Sequence, residues 1–194
     1  MAEALRPSDA DLVAEAVKGD RKAFAALYTR HRDRVFCIAV GVLCDRETAL
    51  DLTQDVFCKL LHALARYDGR AAFTTWLHRV TLNACYDALR RRTPIAVEDP
   101  SSLAAEQDLV VTDDAGVLDV RAALARLPLD QRSVVVMVDM VGYGYEDAAD
   151  ALGIPVGTVK SRLARGRLRV ADMLSAGNRT HTSDRPIHGG DSLG

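Results

Sequence analysis

The sequence predicts an all-α protein in which two small helical domains are joined by an acidic, flexible linker. Apolar residues recur at helical spacing nearly throughout, and Pro, Ser and acidic residues interrupt this pattern between 93 and 117. The net charge of the 194 residues is −2, yet residues 93–118 carry six acids and no Lys or Arg, and residues 155–173 carry +4. We expect a first domain at 1–92, a linker at 93–117, a second domain at 118–174 and a disordered tail at 175–194.

The first domain begins with two helices whose ends are marked by capping residues. Ser8 followed by Asp11 is a capping-box pattern, and Gly19 is a typical helix stop. Asp20 is suited to cap a second, long helix that runs through Leu43. Its C-terminal half is so apolar that we expect burial on most of its faces.

A third helix is predicted from about 46 to 65 and a fourth from about 73 to 92, with a loop at Asp68-Gly69 between them. Five apolar residues of the third helix recur at helical spacing and predict a core stripe, namely Ala49, Leu52, Val56, Leu60 and Leu64.

The second domain also has a helical pattern, beginning near Leu118 and punctuated at Pro128 and at residues 142–144. Residues 134–138 are mostly valine, and by propensity alone they favour a strand. A lone strand among helices would have no partner, so we predict a helix there.

Residues 145–170 have the pattern of a helix-turn-helix. Tyr145, Ala148, Ala149 and Leu152 form one face of a short helix, and Gly153-Ile154-Pro155 is a three-residue break. The next helix has a small or apolar stripe suited to pack on the helix before it: Val156, Val159, Leu163, Gly166 and Val170. The opposite stripe is polar and basic: Thr158, Ser161, Arg162, Arg165 and Arg169.

This polar stripe has the chemistry of a helix that enters the major groove of DNA. Arginine forks bind phosphates or guanine edges, and short hydroxyls allow close approach to the backbone. Gly157 leaves the start of the helix free of a side chain. A merely solvated basic helix is the alternative, and the turn together with the small-residue stripe favours DNA binding.

Two helices of the first domain carry further polar faces. The third presents Glu47, Asp51, Gln54, Asp55, Cys58 and His62 opposite its core stripe. This acidic face is either a solvated surface or a dock for a basic partner helix.

The fourth helix aligns Arg79, Asn83, Tyr86 and Arg90 on one face, and Tyr67, Phe73 and Trp76 lie around the preceding loop. Basic residues with aromatics and an amide are typical of single-stranded nucleic-acid binding. The alternative is that Phe73 and Trp76, three residues apart, belong to the core.

Other functions find little support in the sequence. The ten-residue apolar stretch from Val35 to Cys44 is about half the length of a membrane span, and the N-terminus has no export signal. The four cysteines lack zinc-site spacing and are expected to be reduced, mostly buried thiols. The five histidines are scattered, so we predict no catalytic site, metal or cofactor. The short apolar stretch and the N-terminus without an export signal predict a cytoplasmic location.

Several motifs together resemble the extracytoplasmic-function (ECF) sigma factors of bacteria. Residues 51–57 (DLTQDVF), residues 73–80 (FTTWLHRV), Asn83 and residues 90–92 (RRR) resemble the second conserved region of that family. Residues 153–162 (GIPVGTVKSR) resemble the recognition motif of its fourth region, and 138–143 resemble the actinobacterial M-type members. The resemblance covers about residues 9–174.

The resemblance implies a promoter-specificity subunit of RNA polymerase. It assigns binding of the core polymerase, through the clamp of the largest subunit, to Asp51, Gln54 and Asp55, with the polymerase flap as a further contact. It assigns the −10 promoter element and its opening to Arg70, Phe73, Trp76, Arg79, Asn83, Tyr86 and Arg90. It assigns the −35 element to Gly157, Thr158, Lys160, Ser161, Arg162 and Arg165. An anti-sigma factor is a further implied partner.

The sequence departs from the family pattern at two points. Gly144 stands where Ser or Thr often caps a helix, and Cys44 stands where Gly is common. The main alternative function is a stand-alone regulator of the response-regulator type, although residues 1–92 lack the alternating strands and helices of a receiver domain. An enzyme with an incidental helix-turn-helix is a third possibility.

Overall fold

The computed structural model describes residues 7–92 and 115–181, and it describes side chains at 7–92 and 120–175. Within these ranges every regular element is helical, as the sequence predicts. The first unit contains α1 (Asp9–Val17), α2 (Arg21–Leu43), α3 (Arg46–Ala63), a 3-10 turn (Leu64–Arg66) and α4 (Phe73–Arg92). The second contains α5 (Ala115–Ala125), α6 (Leu129–Val135), a π-helical turn (Val136–Met140), α7 (Tyr145–Leu152) and α8 (Val156–His181).

The predicted caps of the first unit are confirmed. The hydroxyl of Ser8 accepts from the backbone N–H of Asp11 at 3.2 Å, and the Asp11 carboxylate accepts from the backbone N–H of Ser8 at 3.1 Å. The Asp20 carboxylate accepts from the backbone N–H of Lys22 at 2.7 Å. Helix α2 ends at Leu43, and the capping residue Cys44 has a φ of 56°, the left-handed conformation that usually favours glycine.

The core stripe predicted on α3 is also confirmed, because all five of its apolar residues are buried. They pack against α2, whose C-terminal half is buried from Ile38 to Leu43 except for half-buried Val40. Burial of this order stabilises a domain because each apolar side chain removed from water contributes about 1.5–3 kcal/mol.

Two predicted boundaries are wrong. Helix α5 begins at Ala115, so residues 115–117 of the predicted linker are helical. Helix α8 continues to His181, so residues 175–181 of the predicted disordered tail are helical as well. Composition locates such ends poorly because a helix, once nucleated, adds residues at little cost. The other predicted linker and tail residues, 93–114 and 182–194, lie outside the described residues.

The helix predicted for residues 134–138 is present, but its second half has π-helical geometry. The N–H of Val141 donates to the carbonyl of Val136 at 3.0 Å, and the N–H of Tyr143 donates to the carbonyl of Met137 at 3.0 Å. Such a widened turn changes the direction of the side chains that follow it. Periodicity in the sequence did not reveal this change.

The two units pack directly on each other, and the buried side chain of Arg132 in α6 joins them. Its guanidinium donates to the carbonyl of Val42 at 2.8 Å, to that of Ala125 at 2.6 Å and to that of Leu127 at 3.0 Å. Val42 lies in the last turn of α2, where carbonyls have no partner within the helix. A cation from the second unit therefore caps a helix of the first.

A second polar contact joins the units at His78 in α4, whose side chain is fully buried. The hydroxyl oxygen of Tyr143 lies 2.7 Å from Nδ1 of His78, and the two ring centroids are 5.4 Å apart. Burial lowers the pKa of His78 to about 4, and coulombic interactions with the neighbouring His31 and Arg34 act in the same direction. The folded protein therefore requires the neutral imidazole.

This lowered pKa predicts a loss of stability in acid. The unfolded chain protonates residue 78 once the pH falls below 6.5, whereas the folded chain resists protonation down to about 4. The contribution of His78 is thus complete above pH 6.5. Between those values we expect it to reduce the free energy of unfolding by up to about 1.4 kcal/mol per pH unit.

Urea unfolding at a series of pH values measures this effect. The variant His78→Gln should lack this part of the pH dependence, and His62→Gln, at an exposed histidine, should retain it. Identical acid slopes for the wild type and His78→Gln would contradict the prediction.

Candidate nucleic-acid interface

The helix-turn-helix predicted at residues 145–170 is present and is formed by α7 and α8. Gly153 ends α7 with a φ of 68°, a left-handed conformation that glycine adopts without strain. The N–H of Ile154 donates to the carbonyl of Ala149 at 3.1 Å, and the carbonyl of Pro155 accepts from the first turn of α8. Gly144 caps α7 without a side-chain hydrogen bond, as the sequence predicts.

The inner face of α8 packs as predicted. Val159 and Leu163 are buried, and Gly166 lies against α6. A Cβ atom at Gly166 would lie 2.7 Å from Cγ2 of Val135, so only glycine permits this close approach of α8 to α6. The inner face of α8 is therefore packed within the second unit, and the opposite face is available to a partner.

The outer face of α8 is polar, basic and largely exposed. Lys160, Ser161, Arg165 and Arg169 are exposed, and Thr158 is half-buried. The Lys160 ammonium lies 5.6 Å from the ring centroid of Tyr145. A Cβ at Gly157 would meet no atom within 4 Å, so packing within this chain does not require glycine there.

Arg162 differs from the other residues of that face. Its side chain is half-buried, and its Nε lies 3.0 Å from a carboxylate oxygen of Asp130 in α6. Sequence reasoning placed Arg162 on the free stripe and did not identify Asp130. No sequence signal links the two residues, because only the packing of α6 against α8 brings them together.

Three aromatic residues of the first unit, Tyr67, Phe73 and Trp76, form a cluster beside the loop that joins the 3-10 turn to α4. The centroid of the Tyr67 ring lies 5.8 Å from that of Phe73 and 5.3 Å from that of Trp76. Phe73 is 4% exposed, so in this arrangement its ring is a core residue and not a surface on which a base stacks. Trp76 is half-buried, and Arg70 is exposed in the loop.

Asp9 of α1 lies next to this cluster and contacts it through His31. Its carboxylate pairs with Arg30 at 2.6 Å and with His31 at 3.0 Å, and the His31 ring lies 5.4 Å from that of Phe73. Burial works to raise the pKa of Asp9, but the hydrogen bonds and charges of Arg30 and His31 outweigh it, so the pKa lies below its usual value. Sequence reasoning identified neither contact.

The predicted face of α4 is present, but two of its four residues are engaged by the second unit. The Arg79 guanidinium donates to the carbonyl of Asp150 in α7. The Tyr86 hydroxyl donates to that of Ser133 in α6 at 2.9 Å, and Tyr86 is half-buried. Arg79, Asn83 and Arg90 are all exposed, and Arg90 pairs with Asp87.

The acidic face of α3 is exposed at Asp51, Gln54 and Asp55. It borders a groove of about 390 Å³ between α3 and α4. The charged and amide side chains that line the groove are Asp51, Asp55, Lys59, Asn83, Asp87 and Arg91. Residues that the family resemblance assigns to polymerase binding, Asp51 and Asp55, therefore line the same groove as Asn83, which it assigns to the −10 element. The sequence did not predict this proximity.

The described residues contain neither a group of metal-ligating side chains nor a disulfide bond. No three His, Cys, Asp or Glu side chains of the described residues are grouped so as to hold a metal ion. All four cysteines are free: Cys44 and Cys85 are buried, Cys37 is half-buried and Cys58 is exposed. Burial raises the pKa of the Cys85 thiol to about 12. Neither 7–92 nor 115–181 contains a helix long and apolar enough to cross a membrane.

Comparison with known proteins identifies the family. A model of Sigma-70 region 2 matches residues 27–95, and a model of Sigma-70 region 4 matches residues 118–170. The ECF RNA polymerase sigma factor SigM of Mycobacterium tuberculosis is 42% identical over 170 residues, which cover 86% of this chain and 85% of SigM. The chain belongs to the ECF sigma factor family. As a sigma factor of RNA polymerase, it acts in transcription initiation.

Further relatives agree with this assignment. SigE of Mycolicibacterium smegmatis is 34% identical and covers 81% of this sigma factor and 65% of its own length. The similarity to SigM agrees with the M-type features at residues 138–143. The match to region 2 accounts for the first unit, which a stand-alone response regulator leaves unexplained.

Solved structures share the fold. The structure of CnrH in complex with the cytosolic domain of CnrY aligns with a TM-score of 0.67 and 27% identity, and covers 87% of this sigma factor and 97% of that chain. RpoE of Bartonella quintana, in complex with the anti-sigma factor NepR, aligns with a TM-score of 0.64 and 25% identity, over 79% and 98% of the two chains.

The pairing of Arg162 with Asp130 predicts a measurable coupling. Both side chains are partly exposed, at 27% and 17%, so solvent screens their attraction. In a double-mutant cycle of Arg162→Ala and Asp130→Ala we expect a coupling of about 0.5–1 kcal/mol in the free energy of unfolding. A matched cycle of Arg165→Ala and Asp130→Ala should give none, and equal coupling in the two cycles would contradict the assigned pair.

Proposed function

We propose that this sigma factor reads the −35 promoter element with the outer face of α8, captures the opened −10 element with α4, and binds core polymerase through α3. The observation that carries the proposal is the division of α8 into two faces. Its inner residues are buried against α6 and α7, and its outer residues Lys160, Ser161 and Arg165 are exposed.

For the −35 element, the outer face of α8 offers the chemistry that the major groove needs. Arg165 can reach phosphates or guanine edges, and Ser161 allows a close approach. The open space at Gly157 supports contact of the helix start with DNA, since this chain's own packing gives no reason for a glycine there. Arg162 would take part once it exchanges Asp130 for DNA.

For the −10 element, exposed Asn83 is the residue best placed to recognise a base, and exposed Arg70 and Arg90 are available to bind phosphates. Arg79, Tyr86 and half-buried Trp76 complete the proposed surface. Phe73 would support it from the core. Strand capture of this kind offsets the free energy of melting the duplex.

The proposed polymerase contact is the exposed face of Asp51, Gln54 and Asp55, whose negative charge suits a basic partner helix. On the likeness to solved sigma factors whose titles describe complexes with CnrY and NepR, we also infer an anti-sigma partner. We propose further that the protein is not an enzyme, with the polymerase supplying the chemistry, and that it acts in the cytoplasm.

Run-off transcription tests the proposal directly. Purified sigma factor and bacterial core polymerase are mixed with a pool of promoter fragments, with core polymerase alone as the control. Transcripts that start at shared −35 and −10 sequences only when the sigma factor is present would support the function. No dependence on it, with a core that responds to another sigma factor, would contradict the function.

The reading of −35 sequence by α8 predicts a selective effect of Arg165→Ala. If Arg165 contacts a base, the variant holoenzyme should lose about 1–3 kcal/mol of binding free energy on its own promoter and less on promoters altered at that position. Arg169→Ala on the same helix is the comparison. An equal loss on all sequences would instead indicate a phosphate contact.

The polymerase-binding and strand-opening functions should be separable by mutation. Asp55→Lys reverses a charge on α3 and is expected to weaken core binding by tenfold or more, a loss of about 1.4 kcal/mol. Asn83→Ala is expected to preserve core binding and reduce promoter opening, measured by permanganate reactivity of unpaired thymines. Because Asn83 and Asp55 line one groove, core affinity must be measured for each variant. Normal core affinity in Asp55→Lys would indicate a merely solvated face.

A further inference from the structure

Two apolar side chains of α8, Ala164 and Leu168, have no role in the assignments above. Both are exposed, and Leu168, at 66%, is more exposed than any other large hydrophobic side chain of the described residues. They lie one turn apart on the helix and so form one continuous surface, here called the apolar patch. Isolated exposed apolar side chains are ordinary, but two neighbours on the helix assigned to DNA indicate a contact.

The packing of α8 fixes the direction in which the apolar patch points. Residues two apart in an α-helix lie about 200° apart around its axis, and Gly166 is two residues from each member of the patch. A Cβ at Gly166 would lie 2.7 Å from Cγ2 of Val135, so this side of α8 is pressed against α6. Ala164 and Leu168 therefore point away from α6, at the centre of the outer face.

Positive side chains lie on both sides of the apolar patch. All four are exposed, and they are Lys160 and Arg167 on one side of the patch and Arg165 and Arg169 on the other. The major groove of DNA presents phosphates along its two edges and base edges between them. The outer face of α8 has the complementary arrangement, with positive charge at its edges and an apolar centre.

The chemistry of the apolar patch selects one kind of base. A leucine or alanine side chain donates and accepts no hydrogen bond, so it gains nothing from the polar groups of guanine, adenine or cytosine. Thymine alone presents an apolar group in the major groove, its 5-methyl group. Contact between this methyl group and the apolar patch removes apolar surface of both partners from water, which is favourable.

We propose that Ala164 and Leu168 determine part of the −35 specificity by contacting the 5-methyl groups of thymine. The proposal rests on the function proposed above, because it requires α8 to lie in the major groove of the −35 element. It adds that this element contains at least one A·T pair whose thymine methyl group faces the apolar patch. The neighbouring arginines do not supply this preference, since the bidentate arginine contact selects guanine.

Deoxyuridine tests the proposal, because it differs from thymidine only by the absence of the 5-methyl group. The promoter is one recovered by run-off transcription, and each thymine of its −35 element, on either strand, is replaced in turn by deoxyuridine. Competition binding measures the affinity of the holoenzyme, formed from the full chain and core polymerase. We expect at least one replacement to weaken binding about fourfold, the effect of one methyl group removed from an apolar contact.

Substitutions in the apolar patch identify the side chains responsible. With Leu168→Ala, the holoenzyme should bind thymine and deoxyuridine equally at one position of the element, and Ala164→Gly should have this effect at a neighbouring position. Leu168 is exposed, so its substitution removes no core packing, and circular dichroism establishes that each variant is folded. Val17→Ala, which shortens an exposed apolar side chain of α1, is the matched control and should keep the fourfold difference.

The outcomes that overturn the proposal are distinct. Deoxyuridine replacements without effect would overturn it, and so would a −35 element without A·T pairs. An equal effect on the wild type and on Leu168→Ala would place the cause in the DNA itself. Weakened core binding by Leu168→Ala, with an unchanged preference for thymine, would show that polymerase covers the apolar patch instead.

Failure of the function proposed above would be recognised separately. Run-off transcription would then not depend on the sigma factor, and the thymine contact would fall with that function. A sigma factor that supports run-off transcription but does not distinguish thymine from deoxyuridine would overturn the thymine contact alone.

Discussion

The packing of the two units of this sigma factor depends on the hydrogen bonds of one buried group, the guanidinium of Arg132. It holds three backbone carbonyls, from the end of α2, the end of α5 and the turn before α6. No carboxylate is among these hydrogen-bond acceptors, so its charge is met by carbonyl dipoles, including the negative end of the α2 macrodipole. Both terminal nitrogens of this buried group have acceptors, which offsets part of the cost of burying the charge, whereas Nε has no partner among the described residues. The docking of the second unit on the first and the local folding of the second are consequently coupled through one side chain.

Glycine determines how closely the helices around Arg132 approach. Gly166 brings α8 onto α6, and Gly41 brings α2 onto the π-helical turn. Both face a valine, whose branched side chain has little freedom to retreat. The first approach fixes the inner face of α8 within its own unit. The second joins the two units. Close packing of a glycine against a valine therefore both shapes the helix-turn-helix and sets its position on the first unit.

Local patterns in the sequence were sufficient for most of the fold and for part of the candidate site. Ser8, Asp20 and the α3 core stripe were predictable because caps and burial at helical spacing depend on residues close together in the chain. The pairing of Arg162 with Asp130 was not, since it depends on how two helices pack. Phe73 was assigned to the −10 element with the core as the alternative, and only the fold places its ring in the core. The π-helical turn escaped prediction because periodicity does not record a widened hydrogen-bond register.

The distribution of contacts has a consequence for the order of events at a promoter. A carboxylate face such as that of Asp51 and Asp55 needs no rearrangement to meet a basic partner, because it is already solvated and exposed. Arg79 and Tyr86, which are proposed to contact DNA, instead donate hydrogen bonds to the second unit in this structure. A ligand shifts such an equilibrium only by its differential affinity for the two forms. With a net charge of −2, the free protein has little long-range attraction for a polyanion with which to pull the units apart. On the proposed function, the free energy that releases these two side chains comes from the binding of polymerase rather than from DNA alone.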